Sequence, residues 1–137
     1  MKHTTRIELT NRKDQILAEA GIIKHGDVRR VVVNDAVVDT GATGLALPKP
    51  IIEDLGLTPI RSRSTQTTNG IVTRTVYSDV EYSVLDREGI TLVTDLPESL
   101  PVLVGHMVLE YLDLCLDIKK GLIYNPDHDG EWIEDQL

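Results

Sequence analysis

Short runs rich in valine and isoleucine, separated by turn signals, extend over most of the chain. β-Branched residues fit the pleated surface of a sheet, so these runs predict strands. The strands are expected over residues 6–10, 28–33, 36–38, 71–84, 90–94, 102–104, 114–118 and 122–124. Many short strands with frequent turns favour a mainly β fold, closed or sandwiched, with minor helices.

Three turn signals divide these strands. Asn69-Gly70 is the strongest, because both residues tolerate the positive φ of a type I′ hairpin turn. It would join a polar extended stretch, residues 62–68, to a long return strand. Asn34-Asp35 and the segment Asp86-Arg87-Glu88-Gly89 predict two further turns.

The length of 137 residues favours a single domain over 1–137. With four Tyr, one Trp and no Phe, the core must consist mainly of Val, Ile and Leu. We expect this core over residues 28–124, an N-terminal strand and helix extension over 1–27, and a mobile acidic tail over 125–137. Short helices are predicted at 14–20, 50–55 and 106–112, the first two ended by Gly21 and Gly56.

The net charge of −8 argues against a nucleic-acid partner, because such proteins usually carry a basic face. The small basic clusters, Arg29-Arg30, Arg61/Arg63 and Lys119-Lys120, are interpreted as solvated surface. The single cysteine, Cys115, lies in an apolar strand pattern and predicts a buried structural thiol. No signal peptide or membrane span is visible, so we expect a cytoplasmic protein with no membrane partner.

The motif that carries chemistry is Asp39-Thr40-Gly41-Ala42, which directly follows the apolar run at 36–38. It resembles the active-site loop of the retropepsin-like aspartic peptidases. The context is similar too, since the Asn69-Gly70 hairpin follows where that family has its flap. The apolar-apolar-Gly element that precedes the family's short helix is matched at residues 102–105. The resemblance covers roughly residues 31–124 and implies a closed acid-protease-like β barrel with one or two short helices.

The resemblance assigns roles to the residues of the site. Asp39 would be catalytic, and Thr40, Gly41 and Ala42 would support the loop. The flap that closes over substrate would comprise Thr68, Asn69, Gly70 and Ile71, and Val104 and Gly105 would support the loop from behind. His106 departs from the charged or amide residue that the family often has after this glycine.

Only one Asp-Thr-Gly is present, whereas two carboxyl groups that share one proton are needed to activate water and polarise a peptide bond. The sequence therefore predicts a homodimer with Asp39 from each subunit, acting as an endopeptidase on peptide or protein substrates. Ala42 stands where pepsin-like enzymes have a hydroxyl residue. With one donor fewer to the ionised carboxylate, the working pH is expected nearer neutral than that of pepsin.

Other functions were weighed against this hypothesis. The main alternative is a non-catalytic peptide-binding or dimerisation module of the same fold, because a fold does not guarantee activity. A peptidase that cuts one dedicated partner is a third reading. Asp39 is not expected to accept a phosphoryl group, because the second acid that would hold Mg²⁺ is missing from the residues that follow it. The four histidines do not have the spacing of metal ligands. We therefore expect no metal and no cofactor.

Overall fold

Strands dominate the chain in the computed structural model, which describes residues 3–120, 122–124 and 132–135. This confirms the mainly β prediction. The described residues form three short α-helices, at the three places that the sequence pattern predicted, where the family resemblance implied one or two. The strands are β1 (His3–Asn11), β2 (Arg30–Val38), β3 (Leu45–Pro48), β4 (Pro59–Thr67), β5 (Gly70–Val84), β6 (Arg87–Leu96), β7 (Leu103–Val104), β8 (Cys115–Asp117), β9 (Leu122–Tyr124) and β10 (Trp132–Asp135). The helices are α1 (Arg12–Glu19), α2 (Lys49–Leu55) and α3 (His106–Tyr111), with a 3-10 turn at His25–Asp27.

Seven strands form one sheet in the order β1-β2-β7-β3-β6-β5-β4. β1 also pairs with β5, from Glu8 opposite Ser83 to Asn11 opposite Val80, so the hydrogen-bonded pairings return to the first strand. The short β7 lies parallel to β2 and antiparallel to β3. It therefore joins the strand before the Asp39 motif to the strand after it. β8, β9 and β10 form a second, antiparallel sheet.

The core is aliphatic, as the composition predicted. Ile7, Leu9, Leu47 and Val93 are completely buried, and Tyr82 is the one aromatic side chain among the buried hydrophobic residues described. Because β1 supplies two of these side chains, the core begins well before residue 28, where the sequence placed its start. The N-terminal segment is therefore part of the sheet rather than an extension attached to it.

Helix α1 begins two residues earlier than predicted because Asn11 caps it. The Asn11 side chain accepts a hydrogen bond from the Asp14 N–H at 3.0 Å and donates one to the Leu55 carbonyl at 2.8 Å. Arg29 then binds both carboxylate oxygens of Asp14 through Nε at 2.8 Å and Nη2 at 3.0 Å. Arg29 was assigned to the solvated surface, but it forms an ion pair with a carboxylate that is only 6% exposed.

The Asn34-Asp35 turn is wrong, since both residues lie inside β2. Thr5 pairs with Ala36 and Ile7 pairs with Val33, so Asn34 and Asp35 together oppose the single residue between Thr5 and Ile7. This is a β-bulge, in which one strand accommodates an extra residue without reversing direction. The same residue types occur in turns and in β-bulges, so the sequence pattern alone does not distinguish the two structures.

The hairpin predicted at Asn69-Gly70 is present, but its turn is not type I′. Thr67 pairs with Gly70, so Thr68 and Asn69 form the loop, and only Gly70 has a positive φ, +109°. The Thr67 hydroxyl donates to the Gly70 carbonyl at 2.7 Å and accepts from the Asn69 N–H at 3.2 Å. This side chain organises the turn, so Asn69 keeps a negative φ.

The next turn lies earlier than predicted. Leu85 and Asp86 adopt positive φ of 52° and 63°, and β6 begins immediately afterwards, so Gly89 is a strand residue. A Cβ on Gly89 would meet the Tyr82 hydroxyl oxygen at 2.4 Å. The glycine is therefore explained by close packing against a buried ring and not by a turn.

The C-terminal predictions are corrected in two places. Trp132–Asp135 forms β10 against β9, so this part of the expected mobile tail is a strand. Residues 125–131 and 136–137 lie outside the described residues. Cys115 is half-buried in β8, not fully buried.

Candidate active site

Asp39 lies immediately after β2, at the start of the loop that leads to β3. Its own N–H donates to the Val104 carbonyl at 3.0 Å, which extends the β2–β7 pairing to the motif. The Gly41 N–H donates to Asp39 Oδ1 at 2.9 Å. A Cβ at position 41 would stand 3.2 Å from the same oxygen, so the glycine allows this close approach. The Asp39 backbone is thus held by β7, and one oxygen of its half-buried carboxylate is oriented by the Gly41 N–H.

The loop from Asp39 to Gly44 is held by α3 and the residue before it. The Ala42 N–H donates to the Asp39 carbonyl at 3.0 Å and closes a turn. The N–H groups of Gly105, His106 and Met107 then donate to the carbonyls of Gly44, Ala42 and Thr43, at 2.8, 3.0 and 3.0 Å. These hydrogen bonds give the loop a fixed backbone, which a positioned catalytic carboxylate requires.

Gly105 is the point where the chain comes closest to this loop. A Cβ there would lie 2.5 Å from the Thr43 carbonyl carbon and 2.6 Å from the Gly44 oxygen. Such distances between a side chain and backbone atoms are not tolerated, so no other residue fits without moving the loop. The His106 side chain points to Glu110, with Nδ1 3.5 Å from a carboxylate oxygen.

A cavity of about 390 Å³ opens beside the loop. Residues from Ala42 to Ala46 form one wall, and Arg61, Arg63 and Arg74 from the β4–β5 hairpin form another. Asp95 is the one acidic residue in the lining. The structure therefore brings together the loop after Asp39 and the base of the hairpin that the sequence assigned to a flap.

The assigned flap residues lie at the tip of that hairpin and do not line the cavity. Thr68 and Asn69 are exposed, and Ile71 is 73% exposed. Ile71 also lies on the opposite face of the hairpin from the cavity residues Arg74 and Val76, because side chains alternate along a strand. Thr40 is exposed, and within the part of the chain that the structure describes its hydroxyl has no hydrogen-bond partner.

Sequence reasoning missed the arginines of the cavity. Arg61 and Arg63 are exposed, as predicted, but their place beside the cavity was not predicted, and Arg74 was not considered. The observed register, with Thr67 opposite Gly70, places Arg63 opposite Arg74, and the period of two puts Arg61 on the same face. The predicted turn, with Asn69 and Gly70 in its loop, would have placed Arg63 opposite Val76 instead.

Two further findings concern the described residues only. None of their helices has the length and apolar character needed to cross a bilayer. They also contain no cluster of three His, Cys, Asp or Glu side chains placed to hold a metal ion.

Comparison with known proteins identifies the family to which the chain belongs. A family model described as aspartyl protease matches residues 23–95, which is slightly more than half of the chain and includes the Asp39 loop and the hairpin. The chain therefore belongs to the retropepsin-like aspartyl protease family, which confirms the resemblance seen at Asp39-Thr40-Gly41-Ala42.

The chain is also similar to a solved structure, the solution structure of the simian foamy virus (mac) protease. The two are 20% identical with a TM-score of 0.49, over 80% of this chain and 93% of the viral protein. No curated protein matches the sequence.

Proposed function

We propose that the chain is an aspartic endopeptidase that works as a homodimer, with one Asp39 carboxylate from each subunit in a shared site. The observation that carries the proposal is the orientation of Asp39, whose Oδ1 accepts the Gly41 N–H at 2.9 Å within a loop fixed by β7 and α3. Membership of an aspartyl protease family supports the same function.

The chemistry follows from two carboxyl groups that hold one proton. Like charges a few ångströms apart do not both ionise readily, so one Asp39 is ionised and its partner's is protonated. The ionised group takes a proton from a bound water, and the water oxygen attacks the scissile carbonyl carbon. The protonated group hydrogen-bonds to the carbonyl oxygen as negative charge develops there. Transfer of a proton to the amide nitrogen then allows the C–N bond to break.

The dimer is a requirement of this mechanism. One chain supplies one Asp-Thr-Gly, and a two-fold axis brings the second into the same site. Thr40 is exposed beside Asp39, where its hydroxyl is accessible to a partner's loop. The strand pairings that return from β5 to β1 support a closed barrel as the unit that dimerises.

The β4–β5 hairpin is proposed to close over bound substrate, with Thr68, Asn69, Gly70 and Ile71 at its tip. Its base already forms a wall of the cavity next to the Asp39 loop, which supports this assignment. Closure of such a hairpin would exclude water and complete the site.

The decisive experiment replaces Asp39 with asparagine and measures hydrolysis of a diverse peptide library. Asp39→Asn should lower kcat/KM by about 10³-fold or more, because proton transfer by the carboxylate is lost. Asp35→Asn is the matched control, since it is the same change at an exposed residue of the preceding strand. Unchanged cleavage by Asp39→Asn contradicts the proposal. Tight peptide binding by the wild-type protein without any cleavage favours the non-catalytic module.

A further inference from the structure

The cavity beside the Asp39 loop has a charge opposite to that of the protein. Its charged lining residues are Arg61, Arg63, Arg74 and Asp95, which give a formal charge of +3 − 1 = +2. The chain as a whole carries −8. A basic cavity in an acidic protein attracts negatively charged ligands, because its low-dielectric walls reduce the screening of the positive charges.

The three guanidinium groups come from one face of the hairpin. Arg63 pairs directly with Arg74 across β4 and β5, and Arg61 lies two residues from Arg63 on the same side. Like charges placed directly opposite each other destabilise a sheet. The hairpin retains this unfavourable pair next to the active-site loop, where a bound anion would relieve the repulsion.

The residues that the structure describes do not neutralise the three arginines. In the described part of the chain none of the three forms an ion pair, and Arg74 Nη1 lies 3.5 Å from the backbone carbonyl of Asp95. The Asp95 carboxylate accepts from the Thr75 N–H at 3.0 Å and supplies one negative charge against three positive ones. At least two guanidinium groups therefore have no acidic partner among the described residues.

We infer that this cavity is a subsite for an acidic side chain, Glu or Asp, of the peptide substrate. The inference rests on the proposed peptidase function and adds a substrate preference to it. The planar guanidinium group of arginine can donate two parallel hydrogen bonds to one carboxylate, so it recognises the geometry of the carboxylate as well as its charge. The opposite wall begins at Ala42, whose N–H bonds to the Asp39 carbonyl. An acidic residue a few positions from the scissile bond would therefore reach the guanidinium groups.

The dimer makes this inference more specific. A two-fold axis through the paired Asp39 residues generates a second, identical cavity on the other side of the scissile bond. The substrate preference should therefore have two acidic positions, one on each side of the cut and at similar distances from it. A single accidental basic patch outside the cleft would not produce such a symmetric pattern.

The test uses a positional-scanning library of peptides in which each position in turn is fixed as Glu, Gln, Leu or Lys. Cleavage by the wild-type protein is read by mass spectrometry, and binding of the same peptides to Asp39→Asn is read by fluorescence polarisation. We expect Glu to exceed Gln by about tenfold at one position on each side of the cut, in kcat/KM and in affinity. The preference should weaken with added salt.

Charge reversal gives a readout that a merely structural role would not change. Arg63→Glu leaves the cavity without net charge and should abolish the preference for Glu, and Arg63→Glu combined with Arg74→Glu should replace it by a preference for Lys at the same positions. Arg63→Gln should reduce the ratio of Glu to Gln towards one. Arg6→Gln, which removes an exposed arginine from β1, is the matched control and should leave the ratio unchanged.

The outcomes separate this inference from the proposed function. Asp39-dependent cleavage with equal use of Glu and Gln overturns the subsite and leaves the peptidase intact. Binding that favours Glu, with no cleavage of any peptide, overturns the peptidase and leaves the subsite intact. If no peptide is bound or cleaved, both are overturned.

Discussion

The backbone N–H of Gly105 donates to the carbonyl oxygen of Gly44 at 2.8 Å. This contact joins the end of β7 to the end of the loop that begins with Asp39. Two further N–H groups, from His106 and Met107, bind the same loop, so the position of the carboxylate depends on a close approach of two backbone segments. A side chain at 105 has no space in that approach.

Gly105→Ala should therefore damage both stability and activity. The added methyl group meets backbone at 2.5 Å, and overpacking of this kind costs about 1–3 kcal/mol of the free energy of unfolding. Gly26→Ala is the control, because a Cβ there meets no atom within 4 Å. Denaturant unfolding and peptide cleavage, measured on both variants, check the prediction. Native stability and activity in Gly105→Ala would show that the loop is not held in this way.

Gly70→Ala tests the hairpin tip. Gly70 has a φ of +109°, which an alanine adopts only with strain of about 1–3 kcal/mol. Gly21→Ala provides a matched control, because Gly21 also has a positive φ, +75°, and open space around it. Both variants should lose stability, but only Gly70→Ala should lower kcat/KM in assays well below its melting temperature. Equal activities of the two variants would argue against the hairpin as a flap.

The Asp14–Arg29 ion pair should make stability depend on pH. Hydrogen bonds from the Arg29 side chain hold the pKa of Asp14 below its ordinary value of 3.8, despite the opposing effect of burial. A carboxyl group with a lower pKa in the folded state stabilises the protein above its unfolded-state pKa. This contribution is lost as pH falls from about that value through the folded-state pKa.

Asp14→Asn should remove that dependence and lower the free energy of unfolding by about 1–3 kcal/mol at neutral pH. This loss of stability is smaller than that expected for a fully buried ion pair, because the Arg29 side chain is 50% exposed. Asp27→Asn is an exposed control in the same region and should change stability little. Urea unfolding from pH 7 to pH 3 measures both. A wild-type curve parallel to that of Asp14→Asn over this range would contradict the assignment.

Ala42→Ser tests the predicted pH range of catalysis. A hydroxyl donor next to the carboxylate would favour the ionised form over the protonated one. The acid limb of kcat/KM should then move to lower pH by about one unit, relative to a wild-type profile that peaks above about pH 3. Ala46→Ser, at another half-buried alanine, should leave the acid limb in place. A wild-type maximum below about pH 3 would contradict the underlying argument.

The loop from Asp39 to Gly44 was predictable from sequence because it is local. Asp39 follows an apolar strand, and Gly41 follows two residues later, so the motif and its environment are contiguous in the chain. The hairpin was predicted from the local Asn69-Gly70 signal between two strand patterns, and the aliphatic core was predicted from composition. The contacts of Gly105 with the loop were expected only by resemblance.

The errors occurred where one residue pattern serves two structures. Asn34-Asp35 has the chemistry of a turn but forms a bulge, because β1 provides a continuous pairing partner on either side. Arg63 is exposed, as expected, but its position opposite Arg74 across the hairpin was not predicted. Such pairs depend on strand register and on packing between distant segments, which periodicity alone does not determine.

The central claim, that two Asp39 side chains share one site, is tested most directly by mixing subunits. Wild-type and Asp39→Asn chains are combined in equal amounts, allowed to exchange fully, and assayed at constant total concentration. If each active site needs both carboxylates, only dimers of two wild-type chains are active, and activity should fall to about a quarter of the all-wild-type value. A fall to about half would show that each subunit acts alone and would contradict the account.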